Sequence, residues 1–130
     1  MSTRLIAEGL IYDLTEDEKA RQRIVEDLLP SISAYAAEAD ARSEFPEAHR
    51  KAFRESGLLG LVIPTEYGGM GGTLRDLAAT TYTLGTVCGS TALAYFFPCS
   101  SRSRGMLPLA ALEAGIHDEA DAPTVSACAA

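Results

Sequence analysis

The chain has 130 residues, of which 47% are hydrophobic, and a formal net charge of −7 at pH 7. Its length suits one small domain that can bury a core of its own. With 18 Asp and Glu against 11 Lys and Arg, the composition argues against a nucleic-acid-binding surface and against attraction to anionic lipid.

The first predicted helix begins after residues 1–14, which we interpret as an N-terminal extension. Thr15 and Glu18 have the spacing of a capping box, in which each side chain bonds the backbone N–H of the other residue. Pro30 removes one backbone donor within this helix, so we expect a kink or a break there. The apolar residues that share one helical face are Ala20, Ile24, Leu28, Ile32, Tyr35, Ala36 and Ala39.

A second predicted helix, from Pro46 to Ser56, leads into a glycine-rich stretch. Pro46 suits the first helical position, and Gly57 is placed to end the helix in a left-handed conformation. A compact apolar run from Leu58 to Ile63 then predicts buried extended chain. The glycines that follow predict a sharp turn or a close backbone approach; they are Gly68, Gly69, Gly71 and Gly72.

A third helix is predicted to begin at Thr73, which can act as its cap with support from Asp76. Its expected buried face consists of Leu74, Leu77, Ala78, Thr81, Leu84 and Cys88. Ser90 or Thr91 can cap a fourth helix that runs through Phe97. That helix is apolar on all sides, which is typical of a helix inside a larger body.

The last part of the chain predicts a fifth short helix, Leu109 to Ala114, opened by Pro108 and closed by Gly115. Residues 116–130 are predicted to form an acidic linker and the start of a truncated helix. The sequence therefore predicts an all-α fold, a bundle of four to five helices.

Charge is nearly absent from the middle of the chain. Between Leu58 and Ser101 the charged residues are Glu66, Arg75 and Asp76. Because solvated helix faces normally carry charge, this stretch is predicted to be covered in the functional protein.

Several site hypotheses can be weighed on the residues alone. The glycine cluster could surround a phosphate with its N–H groups, but it lacks both the G-x-G-x-x-G and the P-loop spacing, which favours a structural turn. His49 and His117 have no paired ligand spacing and are predicted to be surface residues, so we expect no metal site. The serines lack a G-x-S-x-G motif, which argues against a hydrolase.

The stretch GLLGLVIPTEYGGMGG, preceded by a helix that opens with FP, resembles a phrase of the acyl-CoA dehydrogenase family, G-L-x-G-L-x-x-P-x-x-Y-G-G-x-G. The matching residues are Gly57, Leu58, Gly60, Leu61, Pro64, Tyr67, Gly68, Gly69 and Gly71. The resemblance extends from about Asp13 to Leu112 and corresponds to the N-terminal helical domain of that family, here residues 15–115.

The resemblance implies an FAD-dependent oxidoreductase that acts on CH–CH groups, by removal of an α-proton from an acyl thioester and transfer of a β-hydride to flavin. In the family, the base is a carboxylate of the C-terminal domain, and FAD is held mainly by the middle β-domain, the C-terminal helices and a neighbouring subunit. This chain alone is therefore expected to be inactive and free of FAD, and to need a partner polypeptide or to self-associate.

Family resemblance also implies which residues line the acyl pocket. The corresponding helices lie beside the flavin ring, so Ser90, Thr91, Ala94 and Tyr95 are predicted to contact substrate. The alternative is that Ser90 and Thr91 cap the helix and Tyr95 belongs to the core. Two other functions stay open, a non-catalytic helical interaction module and a fragment of a flavin monooxygenase with the same fold.

The cysteines and the N-terminal residues bear on location. Cys88, Cys99 and Cys128 lie in no C-x-x-C spacing and are interpreted as reduced, buried thiols. The first residues show no signal-peptide pattern, and no apolar run approaches the ~18 residues of a membrane span. We expect a cytoplasmic protein without a transmembrane segment.

Overall fold

The computed structural model describes residues 5–7 and 13–113, with side chains up to residue 102. Every regular element within these residues is a helix, which confirms the predicted all-α fold. The helices are α1 (Glu16–Arg42), α2 (Glu47–Glu55), α3 (Leu74–Gly85) and α4 (Gly89–Glu113), and two 3-10 turns span Leu58–Gly60 and Thr65–Tyr67. Gly115 and the predicted linker at 116–130 lie outside the described residues, as does most of the predicted extension.

Helix α1 begins at the predicted capping box. The Thr15 N–H lies 2.8 Å from Glu18 Oε2, and the Glu18 N–H lies 3.3 Å from Thr15 Oγ1. The helix continues through Pro30 without interruption, so the alternative of a break was wrong. A single lost donor does not end a helix of 27 residues that is held by packing along its length.

The buried face of α1 differs from the predicted one. Its buried residues are Glu18, Gln22, Val25 and Ile32, whereas Ala20 and Tyr35 are exposed. The count of apolar residues missed Glu18 and Gln22, because both are polar and are buried with hydrogen bonds or ion pairs. Gln22 Nε2 donates to Thr80 Oγ1 on α3 over 3.0 Å.

Helix α2 ends where the sequence predicted. Gly57 has a φ of 79° in the left-handed region, as expected for the residue that stops the helix. The predicted extended chain that follows was wrong, because Leu58 to Ile63 forms a 3-10 turn and further tight turns. Local bonds stabilise this form, among them Leu61 N–H to Leu58 O at 3.1 Å and Ile63 N–H to Gly60 O at 3.1 Å. The run is nevertheless buried at Leu58, Leu61 and Val62.

Helix α3 starts at the predicted Thr73 cap, and Asp76 Oδ2 accepts the Thr73 N–H over 2.8 Å. Its predicted buried face was wrong at Leu74, which is 66% exposed, and at Ala78. Asp76 is buried instead, because it pairs with Arg21 of α1. The residues of α3 that face the core are Asp76, Leu77, Ala79, Thr80, Thr83 and Leu84.

Helix α4 is one continuous element, which corrects two predictions. It begins at Gly89, and Cys88 supplies the first carbonyl, which accepts the Ala92 N–H over 3.0 Å. Ser90 and Thr91 therefore lie within its first turn and are not its cap. Pro108 lies inside α4 and does not open a fifth helix.

The core lies where α3 and α4 pack against each other and against α1, with the 3-10 turn at Leu58–Gly60 underneath α4. Its buried members are Val25, Ile32, Phe53, Leu58, Leu61, Val62, Leu77, Leu84, Ala92, Tyr95 and Cys99. The first turn of α4 is linked to α2 by the contact of Thr91 Oγ1 with His49 Nδ1 at 3.1 Å.

Candidate functional site

A groove of about 570 Å³ lies between the end of α1, the segment 43–46 and the first turns of α4. We call it the α1–α4 groove. Its lining comprises Ala36, Ala39, Asp40, Ser43, Glu44, Phe45, Pro46, Cys88, Gly89, Ser90, Thr91 and Ala94. Three of the four predicted substrate contacts, Ser90, Thr91 and Ala94, thus come together on one wall of one concave site.

These three residues differ in exposure. Ser90 and Ala94 are exposed on the helix surface and can meet a ligand directly. Thr91 is only 1% exposed, because its side chain turns toward α2. The Ser90 hydroxyl and the Ala94 methyl group on one wall face the Phe45 ring on the opposite wall, so this part of the groove is uncharged.

Tyr95 lies behind this wall and belongs to the core. It is 1% exposed, and its hydroxyl donates to the Leu58 carbonyl over 2.7 Å. Its ring packs at 5.0 Å from the Phe53 ring, centroid to centroid. Burial strongly raises the pKa of the Tyr95 phenol. The residue also lines a smaller cavity of about 300 Å³ beside Ala94. Its hydroxyl, however, is bonded to the 3-10 turn beneath α4.

His49 is buried, which corrects its prediction as a surface residue. It is 0% exposed, and its Nδ1 lies 3.1 Å from Thr91 Oγ1. The rings of Tyr35 and Phe45 approach it edge-on, each at 6.0 Å between centroids. His49 thereby fixes two residues that line the groove, Thr91 and Phe45. The signal that could have revealed it is its spacing of four residues from Phe53, the buried aromatic of the same helix.

The stability of the fold is expected to fall as His49 becomes protonated. Burial lowers the pKa of His49 below its ordinary value of 6.5, and the Ile32 backbone opposes this only in part. As the pH falls below about 6.5, the unfolded chain binds the proton first, so the free energy of unfolding declines and levels off below the folded pKa. Urea titrations between pH 8 and pH 5 measure this slope.

The control for this prediction is His49→Gln, which cannot titrate there. Its free energy of unfolding is expected to be lower throughout but to lose the part of the pH slope due to His49. Equal slopes for the two proteins would contradict the assignment.

The opposite wall of the groove carries Asp40 and Glu44, which the sequence did not single out. No basic residue belongs to the lining, so the groove repels a phosphate group. No sequence signal links these carboxylates to Ser90, since tertiary packing alone brings the end of α1 to the start of α4.

The glycine loop leaves no phosphate cradle, which supports the structural turn preferred from the sequence. Its N–H groups bond carbonyls of the preceding residues: Gly69 to Pro64 at 3.1 Å, Met70 to Gly60 at 2.9 Å, Gly71 to Ile63 at 2.9 Å and Gly72 to Leu61 at 2.7 Å. Donors used in this way are not available to a ligand. Together with the acidic groove, this means that the described residues do not fit the pyrophosphate of FAD on their own.

Other chemistry finds little support in the part of the chain that the structure describes. It contains no group of three or more His, Cys, Asp or Glu residues placed to hold a metal ion. Cys88 and Cys99 are both free thiols, and burial raises the pKa of Cys99. None of the described helices combines the length and the apolar character that crossing a membrane requires.

Comparison with known proteins decides the family. The family described as "Acyl-CoA dehydrogenase, N-terminal domain" matches residues 15–109. The chain belongs to the acyl-CoA dehydrogenase family. The matched range covers α1 to α3 and most of α4, so both walls of the α1–α4 groove are part of the family domain.

Curated relatives of the chain include dehydrogenases and a monooxygenase. It is 34% identical over 99 residues to a probable acyl-CoA dehydrogenase of Bacillus subtilis, covering 75% of this chain and 25% of the relative. It is 38% identical over 97 residues to cyclohex-1-ene-1-carbonyl-CoA dehydrogenase of Geobacter metallireducens, covering 74% and 24%. A probable FMNH2-dependent monooxygenase of Pseudomonas putida is 38% identical over 74 residues, covering 57% and 19%.

The chain spans about a quarter of the length of the first two relatives. No solved structure gives a significant match. The chain thus has the N-terminal domain of an acyl-CoA dehydrogenase-like flavoenzyme family, and the described residues account for that domain alone.

Proposed function

We propose that this chain forms one wall of the acyl pocket of an FAD-dependent oxidoreductase of the acyl-CoA dehydrogenase type. The observation that carries the proposal is the α1–α4 groove, which gathers Ser90, Thr91 and Ala94 within the family domain. In this proposal Ser90 and Ala94 contact the substrate, while Thr91 and Tyr95, both 1% exposed, support their helix from behind. The domain is proposed to extend over residues 15–115.

Charge in the groove indicates which part of an acyl thioester lies there. Asp40 and Glu44 on its wall disfavour the phosphates of coenzyme A, whereas Ala94 and Phe45 offer apolar contact to a hydrocarbon chain. The groove is therefore proposed to hold the acyl end, with the phosphates elsewhere. FAD, which supplies the hydride acceptor when bound, is proposed to be held by polypeptide outside this domain.

A second candidate is a flavin monooxygenase with the same fold, favoured by the similarity to the Pseudomonas putida protein. The N-terminal domain would serve as pocket wall there too, with a substrate other than an acyl thioester. For both candidates we propose a cytoplasmic location, in keeping with the free thiols of Cys88 and Cys99.

Purified alone, the chain is expected to carry no flavin and to show no acyl-CoA dehydrogenase activity. The described residues offer no cradle for the FAD pyrophosphate, and the proposal places the catalytic base elsewhere. Visible absorbance and an acceptor-reduction assay with acyl-CoA measure this. If the purified chain carries a stoichiometric yellow chromophore, it binds flavin without further polypeptide, and this expectation is wrong.

The pocket wall can be tested in a chimera, in which this chain replaces the matching N-terminal quarter of the Geobacter metallireducens dehydrogenase. Ala94→Phe is expected to fill the groove and to raise the KM for cyclohex-1-ene-1-carbonyl-CoA at least about tenfold, since a blocked apolar contact costs on the order of 1–3 kcal/mol. Bound flavin should be unchanged.

The matched control is Ala37→Phe, at an exposed position of α1 outside the groove lining. It should leave the KM within about twofold, a change of under 0.5 kcal/mol typical of surface substitutions. If Ala94→Phe behaves like this control, Ala94 does not contact the substrate.

A further inference from the structure

The α1–α4 groove borders the smaller cavity of about 300 Å³, which we call the α2–α4 cavity. Its lining comprises Phe45, Arg50, Phe53, Leu59, Ala94, Tyr95 and Pro98. Phe45 and Ala94 also line the groove, on opposite walls. Because these two residues belong to both linings, they form a constriction between the groove and the cavity.

The α2–α4 cavity is mainly apolar. The Phe53 and Tyr95 rings are 2% and 1% exposed and pack at 5.0 Å between centroids. The Tyr95 hydroxyl is already bonded to the Leu58 carbonyl over 2.7 Å. Among the described residues of the lining Arg50 is charged, and it pairs with Glu47 over 2.8 Å. Such a lining suits the hydrocarbon part of a ligand.

Phe45 is restricted at the constriction by three neighbours. Pro46 follows it and favours an extended backbone at Phe45. The His49 ring approaches the Phe45 ring edge-on, at 6.0 Å between centroids. The Arg50 guanidinium carbon lies over the Phe45 ring, 5.9 Å from its centroid. Both the backbone and the ring of Phe45 are thus held in place between the two cavities.

We propose that Phe45 limits the length of the acyl group by closing the groove toward the α2–α4 cavity, an inference that rests on the proposed function. The substrate class is then a short acyl thioester, whose hydrocarbon end stops at the Phe45 ring. Removal of the ring joins the groove of about 570 Å³ to the apolar cavity of about 300 Å³. A longer chain then buries its terminal methylene groups in the cavity.

Direct binding to the 130-residue chain tests this without flavin. The probes are the butanoyl and decanoyl thioesters of N-acetylcysteamine, which lack the phosphates of coenzyme A. NMR shifts of the Ser90 and Leu59 backbone amides report on the groove and on the α2–α4 cavity, respectively. In the unchanged chain the butanoyl probe should bind at least as tightly as the decanoyl probe, and Leu59 should not shift.

Phe45→Ala is expected to tighten decanoyl binding at least about tenfold relative to butanoyl binding, because burial of two or more methylene groups accounts for a factor of that size. The decanoyl probe should then shift the Leu59 amide. Phe45→Leu retains an apolar side chain and disturbs the fold less, and it should give a smaller gain in the same direction. Circular dichroism establishes that each variant is folded.

The matched control is Tyr35→Ala. Tyr35 also meets the His49 ring edge-on at 6.0 Å and is 43% exposed, but it lines neither the groove nor the α2–α4 cavity. The ratio of decanoyl to butanoyl affinity should therefore stay within about twofold of that of the unchanged chain. An equal gain for Tyr35→Ala would trace the effect to His49 and overturn the inference.

The remaining outcomes separate the inference from the proposed function. If the butanoyl probe shifts Ser90 and the folded Phe45 variants leave the affinity ratio unchanged, Phe45 is not the barrier and the proposed function stands. The same holds if the decanoyl probe already shifts Leu59 in the unchanged chain. If neither probe shifts Ser90, the groove does not bind an acyl group, and the proposed function fails together with the inference.

Discussion

Replacing Asp76 with alanine is expected to lower the free energy of unfolding by about 3–5 kcal/mol, the cost of breaking a buried ion pair from one side. The Asp76 side chain is 0% exposed and the Arg21 side chain 16% exposed. Oδ1 accepts Arg21 Nε over 2.8 Å and Oδ2 accepts Nη2 over 3.1 Å. Oδ2 also accepts the Thr73 N–H over 2.8 Å, so one carboxylate joins α1 to α3 and caps α3.

The substitution leaves the Arg21 guanidinium partly buried without its partner and the first turn of α3 without its cap. Small domains have a total stability of about 5–15 kcal/mol, so we expect a large shift of the urea midpoint or the loss of a cooperative transition. Asp76→Asn keeps the shape and one acceptor, and should lie between the alanine variant and the unchanged chain.

The control is Glu38→Ala, which removes an exposed ion pair with Arg42 at 2.9 Å, where the side chains are 52% and 67% exposed. The two pairs are alike in distance and differ in burial. Exposed pairs contribute about 0–1 kcal/mol, so the urea midpoint should hardly change. If Asp76→Ala costs no more than Glu38→Ala, the buried pair does not hold the two helices together.

Gly69→Ala is expected to cost about 3 kcal/mol, the upper range for overpacking. A Cβ at Gly69 would overlap the carbonyl group of Ile63, with its carbon at 2.5 Å. Relief requires a shift of the backbone, which also strains the bonds from Met70 and Gly71 to Gly60 and Ile63. Urea unfolding followed by circular dichroism measures the loss.

Gly60 is the matched control, because it faces Gly69 across the same turn. A Cβ there would lie 3.5 Å from Gly69 Cα, an ordinary contact, and Gly60 has no left-handed φ. Gly60→Ala should therefore change the stability by about 1 kcal/mol or less. Equal losses for the two variants would mean that the close approach of Gly69 to Ile63 does not exist in solution.

The contacts of Asp76, Tyr95 and His49 together hold the helices that form the α1–α4 groove. The Asp76 pair fixes α3 against α1, and Tyr95 bonds α4 to the turn that leads into the glycine loop. His49 then links α2 to Thr91 at the start of α4. The α1–α4 groove is thus defined by contacts between all four described helices, and a loss of any of them should alter the groove before it abolishes the fold.

Much of the local structure could be predicted from the residues. The capping boxes at Thr15 and Thr73 and the left-handed Gly57 depend on neighbouring residues alone, and each was confirmed. The family phrase from Gly57 to Gly71 likewise identified the family, because its glycines and proline occupy fixed positions along the chain.

Burial and element continuity were decided by tertiary structure. The sequence placed His49 at the surface and did not count Asp76 or Gln22 among the buried residues, yet each finds a bonding partner on another helix and is buried. Pro108 and Ser90 carry start signals, but α4 begins at Gly89 and continues past both residues. The run from Leu58 to Ile63 was correctly predicted to be buried, while its 3-10 form depended on the glycine loop that closes over it.

The sequence by itself therefore determined the helical class, the helix boundaries at Thr15, Gly57 and Thr73, and the family, since these rest on spacing within a few residues. Only the tertiary structure decided which polar side chains are buried and where the acidic wall of the groove lies. The physical reason is that these properties depend on partners distant in the chain, such as Arg21 for Asp76 over 55 positions and His49 for Thr91 over 42.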